Sequence, residues 1–315
     1  KGHMSSTLDE TSHSFNVELM WPLPGETLDS FKDGIDELCS MGAQAFQVYP
    51  LLWINNIGYR EKGDLGVVTL TEDDAAGAGE IVVQTREVSY DDYIQGLLFT
   101  QAVFLLHDCR GLYVTMQLLS QLGVARVRDV AEAFVTWMES HPGDDGLFGL
   151  WQLGRRQPEK LLQYIWKGIV ADAVMHEHRA QFDEIVRRFV DEHSAWLADE
   201  RVAAAVEFDL MSRPYPFVQT PLQLGVSLEH LRVVKERRGV WTVASPYDFP
   251  TFVDALRRGE TGPIDALGAG AEVMLRIDHR RGQAFRKERS TDDIHWHLYR
   301  ILRGIRKTEA RYAAA

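Results

Sequence analysis

The sequence contains few cysteines, and this scarcity excludes several kinds of site. Only Cys39 and Cys109 occur among 315 residues, and they lie far apart in the chain. Two cysteines cannot build a disulfide framework, a four-cysteine zinc site or a self-contained cysteine-bound iron–sulfur cluster. We therefore expect both to be reduced, buried thiols of a cytoplasmic protein.

Long apolar runs and a basic surface are also missing. No stretch of about 18 apolar residues is present and no basic-then-apolar leader is recognisable, so we expect neither a membrane partner nor secretion. The net charge is −12, with 19 Lys and Arg against 14 Asp and Glu over residues 201–315 and a large excess of acids before them. An acidic N-terminal part and a mildly basic C-terminal part of the sequence argue against nucleic-acid binding.

The first recognisable feature is a β-α-β pattern. Residues 15–21 form an apolar run that ends in Pro22-Leu23-Pro24-Gly25, typical of a buried strand followed by a tight turn. An apolar stripe at helical spacing comes next, with Thr27 suited to its first turn and Gly42 to its end. A right-handed crossover predicts that residues 46–51 form a second strand parallel to the first.

The pattern of apolar residues changes twice along the rest of the sequence, which predicts three regions, 1–85, 86–200 and 201–315. The elements expected after the first unit are a long loop over 54–85 with a short strand at 81–84, helices from 89 to about 200, strands at 206–210, 231–234, 240–244 and 271–277, a short helix over 248–256 and a closing helix over 291–307. The second region is thus helical and the third is a small α+β domain.

Two segments resemble the fifth and sixth barrel strands of radical S-adenosylmethionine (SAM) enzymes of the cobalamin-dependent branch. They read Val17-Glu18-Leu19-Met20-Trp21-Pro22-Leu23-Pro24-Gly25-Glu26-Thr27 and Ala45-Phe46-Gln47-Val48-Tyr49-Pro50-Leu51-Leu52. The chain therefore resembles the C-terminal half of such an enzyme. This implies an α/β plus α+β fold in which residues 1–85 form a partial (β/α) barrel unit.

The resemblance also implies a site. Barrel enzymes place their functional groups at the carboxyl ends of the strands, so these positions are expected to line a shared cofactor or substrate pocket. The residues concerned are Trp21, Pro22, Gly25, Glu26, Pro50, Leu51 and Trp53.

The motifs that carry the chemistry of this family are missing from the sequence. It has no Cys-x3-Cys-x2-Cys cluster motif, no Asp-x-His-x-x-Gly signature of cobalamin binding and no glycine-rich SAM motif. A [4Fe–4S] cluster needs several thiolate ligands. We therefore expect the chain to bind no cofactor alone, and SAM, cobalamin and an iron–sulfur cluster to be involved only through a partner.

A basic cluster is the main candidate site outside these strands. Arg276, His279, Arg280 and Arg281 could grip a carboxylate or phosphate of a substrate. The alternative is an exposed hairpin edge guarded by charge. No metal site is predicted, because the two histidines of His176-Glu177-His178 would point about 200° apart on a helix.

The opening unit makes a poor domain by itself. A two-stranded sheet is marginal alone, and parallel sheets usually have both faces covered and no long free edge. Three arrangements would complete it: strands from a separate polypeptide, self-association through the incomplete barrel edge, or cover by the downstream helices.

The main hypothesis is a non-cluster accessory or complementing subunit of a split cobalamin-type radical SAM enzyme. That enzyme would be a methyltransferase, or catalyse a related tailoring reaction of specialised metabolism, and the partner would be a cluster-bearing radical SAM protein. One alternative is a stand-alone enzyme or small-molecule-binding protein that reuses a degenerate half-barrel, with a metal held by sequence-distant histidines. Another is that the sequence is one piece of a longer enzyme.

Overall fold

The computed structural model describes residues 16–43, 45–54, 65–70, 80–158, 161, 164–213, 228–260, 263–268, 272–278 and 306–307. Within these ranges the fold is mixed α/β, with one small parallel sheet, two antiparallel sheets and no closed barrel. None of the helices in these ranges combines the length and the apolar character needed to cross a membrane.

The predicted β-α-β unit is confirmed. Strand β1 (Asn16–Trp21) lies parallel to β2 (Ala45–Pro50), and helix α1 (Leu28–Ser40) connects them. Thr27 caps α1, because its hydroxyl accepts from the Ser30 amide while the Ser30 hydroxyl accepts from the Thr27 amide. Gly42 follows the helix with a φ of 83°, which a residue with a side chain rarely adopts.

A second, antiparallel sheet follows directly. Its strand order is β3 (Leu52–Trp53), β5 (Glu80–Gln84) and β4 (Val68–Leu70). The short strand expected at 81–84 is therefore confirmed. Residues 68–70, expected within a loop, form a strand instead, since their backbone pairs with β5.

The middle of the chain is helical, as predicted. The helices are α2 (Tyr90–Val103), α3 (Tyr113–Gln121), α4 (Val127–Ser140), α5 (Gly146–Arg156), α6 (Tyr164–Asp172), α7 (Arg179–Glu192) and α8 (Glu200–Ser212), with π-helical turns at Phe104–Asp108 and Ala173–Glu177 and a 3₁₀ turn at Ser194–Ala198. Ser89 and Asp92 form a capping box at the start of α2. Arg128 of α4 pairs with Asp33 of α1 at 2.6 Å and fixes α4 against the first unit.

Helix α8 corrects one prediction. Residues 206–210 were expected to form a strand, but they lie inside α8, most of which is buried. A buried helix is apolar on nearly every side, so its residues show no period that distinguishes them from a buried strand. Asp209 of this helix also caps α3, since its carboxylate accepts from the amides of Val114 at 3.0 Å and Thr115 at 2.9 Å.

The last sheet has the order β6 (Arg232–Arg237), β7 (Val240–Ser245), β8 (Val273–Asp278) and β9 (Arg306–Lys307). The three strands predicted near 231, 240 and 271 are confirmed. So is the short helix, α9 (Phe249–Arg257), which Asp248 caps. Of the closing helix predicted over 291–307, residues 291–305 lie outside the described part, and 306–307 pair with β8 as a strand instead.

Candidate functional site at the carboxyl ends of the first two strands

The turn that follows β1 is held by hydrogen bonds at both of its ends. The Glu26 amide donates to the Leu23 carbonyl at 3.0 Å, and Gly25 adopts a φ of 87°. The Gly25 amide donates to the carboxylate of Glu87, which lies beyond β5, at 3.1 Å. The conformation of this turn is therefore fixed by a residue 62 positions away in the sequence.

Trp21 anchors the turn from within the core. Its side chain is 0% exposed and stacks on Phe31 at 4.5 Å between ring centroids. Its indole N–H donates to the Tyr93 carbonyl at 3.3 Å, and Gly96 of α2 lies directly against the ring. Of the residues predicted to line a pocket, Trp21 is thus packed between α1 and α2, and Pro22 beside it is buried as well.

Glu26 differs from its neighbours because part of its carboxylate lacks a partner. The side chain is partly buried, and no described group donates to its solvent-shielded Oε2 atom. Burial raises the pKa of this carboxyl, although a backbone hydrogen bond opposes the shift. A half-buried carboxylate with a free acceptor suits a cationic group, such as an ammonium, that approaches the end of β1.

The carboxyl end of β2 joins the first sheet to the second. Leu51 is 4% exposed; its amide donates to the Trp21 carbonyl at 3.2 Å, and its carbonyl accepts from the Val82 amide at 2.9 Å. Pro50 lies opposite Trp21 in the parallel register, while Trp53 pairs within the second sheet. The structure thus brings the two predicted segments together, with Leu51 as the link between the sheets.

The first sheet has one covered face and one open face among the described residues. Side chains alternate between the faces of a strand, and paired residues share a face. The covered face packs into the core together with Phe31 and Ile35 of α1. Its members are Val17, Leu19, Trp21, Phe46 and Val48.

The open face carries side chains that the sequence reasoning did not single out as site residues. They are Glu18, Met20, Gln47 and Tyr49. Met20 is 48% and Tyr49 38% exposed, whereas Gln47 is partly covered. Glu18 and Gln47 are polar residues that alternate with apolar ones along their strands. This alternation was the sequence signal for a second, less buried face of the sheet. In a (β/α) barrel the helix-covered face of the sheet is the outside and the other face is the lumen.

A buried polar cluster obstructs the outer edge of β2 at Phe46, and no pattern in the sequence indicated it. The Phe46 amide donates to Asp108 at 3.0 Å, and the Lys167 ammonium donates to the Phe46 carbonyl at 2.9 Å. Lys167 also donates to the Gln47 side chain at 3.3 Å, and His107 contacts Asp108 at 2.9 Å. Burial lowers the pKa of Lys167 to about 8, against the opposing attraction of Asp108.

The cysteines do not fit an iron–sulfur cluster. Cys39 and Cys109 are free and buried, and burial raises the pKa of each thiol, so both are protonated rather than thiolate. In the described part of the chain, no three His, Cys, Asp or Glu side chains are placed to hold a metal.

The predicted anion site is only partly described. Arg276 lies in β8, where it pairs with Thr242 of β7 and Arg306 of β9. His279, Arg280 and Arg281 lie outside the described residues. An anion-binding role for these four residues stays a prediction.

A separate cavity of about 540 Å³ lies beside the last sheet. Its lining includes His230, Arg232, Tyr247 and Glu272. None of the predicted pocket residues borders it. Burial raises the pKa of the Tyr247 hydroxyl, and the nearby acids Glu200 and Asp199 add to the shift.

Comparison with known proteins gives one partial likeness. A stretch of 134 residues is 31% identical to the cobalamin-dependent radical SAM methyltransferase TokK of Streptomyces tokunonensis. The chain is similar to part of a cobalamin-dependent radical SAM methyltransferase. The matched stretch makes up 38% of this chain but only 20% of TokK, so the chain spans about a fifth of that enzyme. No family model matches the sequence.

Proposed function

We propose that this chain is the non-cluster, complementing part of a split cobalamin-type radical SAM enzyme, a methyltransferase or an enzyme of a related tailoring reaction. The observation that carries the proposal is the first sheet, where helices cover one face and Met20 and Tyr49 are exposed on the other. That is the arrangement of a segment of a barrel wall. The likeness to a cobalamin-dependent radical SAM methyltransferase supports the same conclusion.

The proposed partner would supply the cluster ligands and the further strands that this part of the molecule lacks. The chain has two cysteines, both buried with raised thiol pKa, so in this proposal the cluster is bound by another polypeptide. The two-stranded sheet has too little hydrogen bonding to be a stable barrel wall alone. A cluster-bearing radical SAM protein would supply both the cluster and the remaining strands.

The residues at the carboxyl ends of β1 and β2 would then line a pocket shared with the partner. SAM carries an ammonium group, and the unpartnered Oε2 of Glu26 is suited to accept from it. Met20 and Tyr49 offer exposed apolar surface on the same sheet for the uncharged part of a cofactor or substrate. Trp21 holds this end of β1 rigid through its contacts in the core.

A stand-alone small-molecule-binding protein is the second candidate. The cavity of about 540 Å³ beside the last sheet favours it, because that volume suits a small ligand and does not depend on a partner. A thermal-shift and calorimetric screen of the isolated chain against anionic metabolites tests this alternative. Tight binding that His230→Ala weakens would support it.

The proposed function is tested by anaerobic co-purification from the source organism with the tagged chain as bait. We expect an iron–sulfur protein to be recovered in a defined ratio to the bait and to show SAM-dependent methyl transfer only when this chain is present. Glu26→Gln should raise the KM for SAM in the assembled enzyme more than it changes the yield of assembly. Methyl transfer at the same rate without the chain would refute the proposal.

A further inference from the structure

We propose that the outer edge of β1 is the site at which the partner adds a strand, and that the outer edge of β2 is closed to strand addition by this chain's own side chains. This inference rests on the proposed function and goes further, since it names the edge, the backbone groups and the direction of the added strand.

Strand geometry identifies the backbone groups on each edge. The Trp21 carbonyl accepts from the Leu51 amide across the sheet, so Trp21 and Leu19 direct their N–H and C=O groups towards β2. Successive residues of a strand direct these groups to opposite sides. Glu18 and Met20 therefore direct theirs outward, and within the described residues no strand pairs with them.

The N–H groups at the two ends of the β2 edge are occupied or absent. Phe46, Val48 and Pro50 direct their backbone groups away from β1 by the same rule. The Phe46 N–H and C=O are bound by Asp108 and Lys167, and Pro50 has no N–H to donate. Lys167 is 1% exposed, so an incoming strand would have to displace a buried side chain. The two edges are thus unequal.

The partner strand is expected to run parallel to β1, so that it continues the existing parallel sheet and keeps the covered face apolar. A second copy is disfavoured by charge, because residues 1–200 hold 32 Asp and Glu against 15 Lys and Arg, and two such surfaces repel each other. Glu18 is exposed at the edge itself. The matching strand should therefore carry alternating apolar residues and a basic residue near Glu18.

Two variants at one position separate the backbone from the side chain. Glu18→Pro removes the outward N–H without breaking a bond to β2, and proline is tolerated on edge strands. Glu18→Ala keeps the N–H and removes only the charge. We expect Glu18→Pro to weaken binding of the iron–sulfur protein recovered by co-purification by about tenfold or more, and Glu18→Ala by only a few-fold.

Residue-resolved amide hydrogen exchange supplies a readout that misfolding cannot imitate. In the isolated chain the Glu18 and Met20 amides should exchange fast while those of Leu19 and Trp21 are protected, and the first two should become protected in the complex. Equal binding by Glu18→Pro and Glu18→Ala would overturn the edge assignment but not the proposed function. Protection of the Glu18 and Met20 amides in the isolated chain would do the same. If no iron–sulfur protein binds the unmutated chain, the proposed function falls together with this inference.

Discussion

Gly96 tests whether Trp21 anchors the candidate site. The glycine lies on α2, and a Cβ built there would come within 2.6 Å of both Cε2 and Nε1 of the Trp21 indole. Because the ring is fully buried and stacked on Phe31, it has little room to move away. Gly96→Ala should therefore strain the packing that holds the end of β1.

The magnitude follows from a comparison with Gly34, a helical glycine of α1 around which an added Cβ meets no atom within 4 Å. Both substitutions gain helix propensity, worth about 1 kcal/mol each. Only Gly96→Ala adds an overpacking cost of about 1–3 kcal/mol. The free energies of unfolding of the two variants should therefore differ by about 1–3 kcal/mol, with Gly34→Ala above the parent chain.

Urea unfolding followed by far-ultraviolet circular dichroism measures this difference. A double-mutant cycle with Trp21→Phe extends the test, because the smaller ring should accept the methyl group and restore part of the loss, with a coupling of at least about 0.5 kcal/mol. If Gly96→Ala proved as stable as Gly34→Ala, or if the cycle showed no coupling, the assigned packing of Trp21 would be wrong.

Three further predictions use the same unfolding assay. Between pH 8 and 10.5 the free energy of unfolding of the parent chain should rise by up to roughly 3 kcal/mol relative to that of Lys167→Met. Burial lowers the pKa of Lys167 to about 8, so over this range only the unfolded chain holds the proton, and raising the pH favours the folded chain. A difference that does not change with pH would contradict this. Asp209→Ala leaves the buried amides of Val114 and Thr115 unpaired and should cost about 2–4 kcal/mol. Asp199, which caps α8 through the Arg201 amide, is more exposed, so Asp199→Ala should cost about 1 kcal/mol. Similar costs would argue against the buried cap. Glu26→Gln should be more stable than the parent chain at pH 7, because burial raises the pKa of this carboxyl, and the advantage should disappear as the pH falls towards 4.5; a pH-independent difference would be inconsistent with that cause.

Much of the candidate site could be predicted from the sequence because its signals are local. Proline and glycine after an apolar run predicted the turn at Pro22–Gly25, and the cap at Thr27 is set by a neighbour three residues away. The alternation of side chains along β1 and β2 follows from the strand period alone. The predicted pairing of the two strands then placed their carboxyl ends side by side.

Other features of the site could not be predicted in this way. The unpartnered oxygen of Glu26 depends on what surrounds it in space, and the Gly25 amide is bound by Glu87 from a distant part of the chain. The open face was missed because its members include apolar residues, Met20 and Tyr49, that look in sequence like members of the core. Their exposure is evident only once α1 is seen to cover the opposite face.

The sequence by itself thus determined the elements whose signals lie within a few residues: the first β-α-β unit, the helix caps and the absence of a cysteine set for a cluster. The tertiary structure decided that residues 206–210 form a helix and that Lys167, 121 positions from Phe46, obstructs the edge of β2 there. It also decided which face of the first sheet stays open. The physical reason is that capping and periodicity act between neighbours in the chain, whereas burial, edge closure and unpaired polar atoms arise from contacts between segments that only the folded chain brings together.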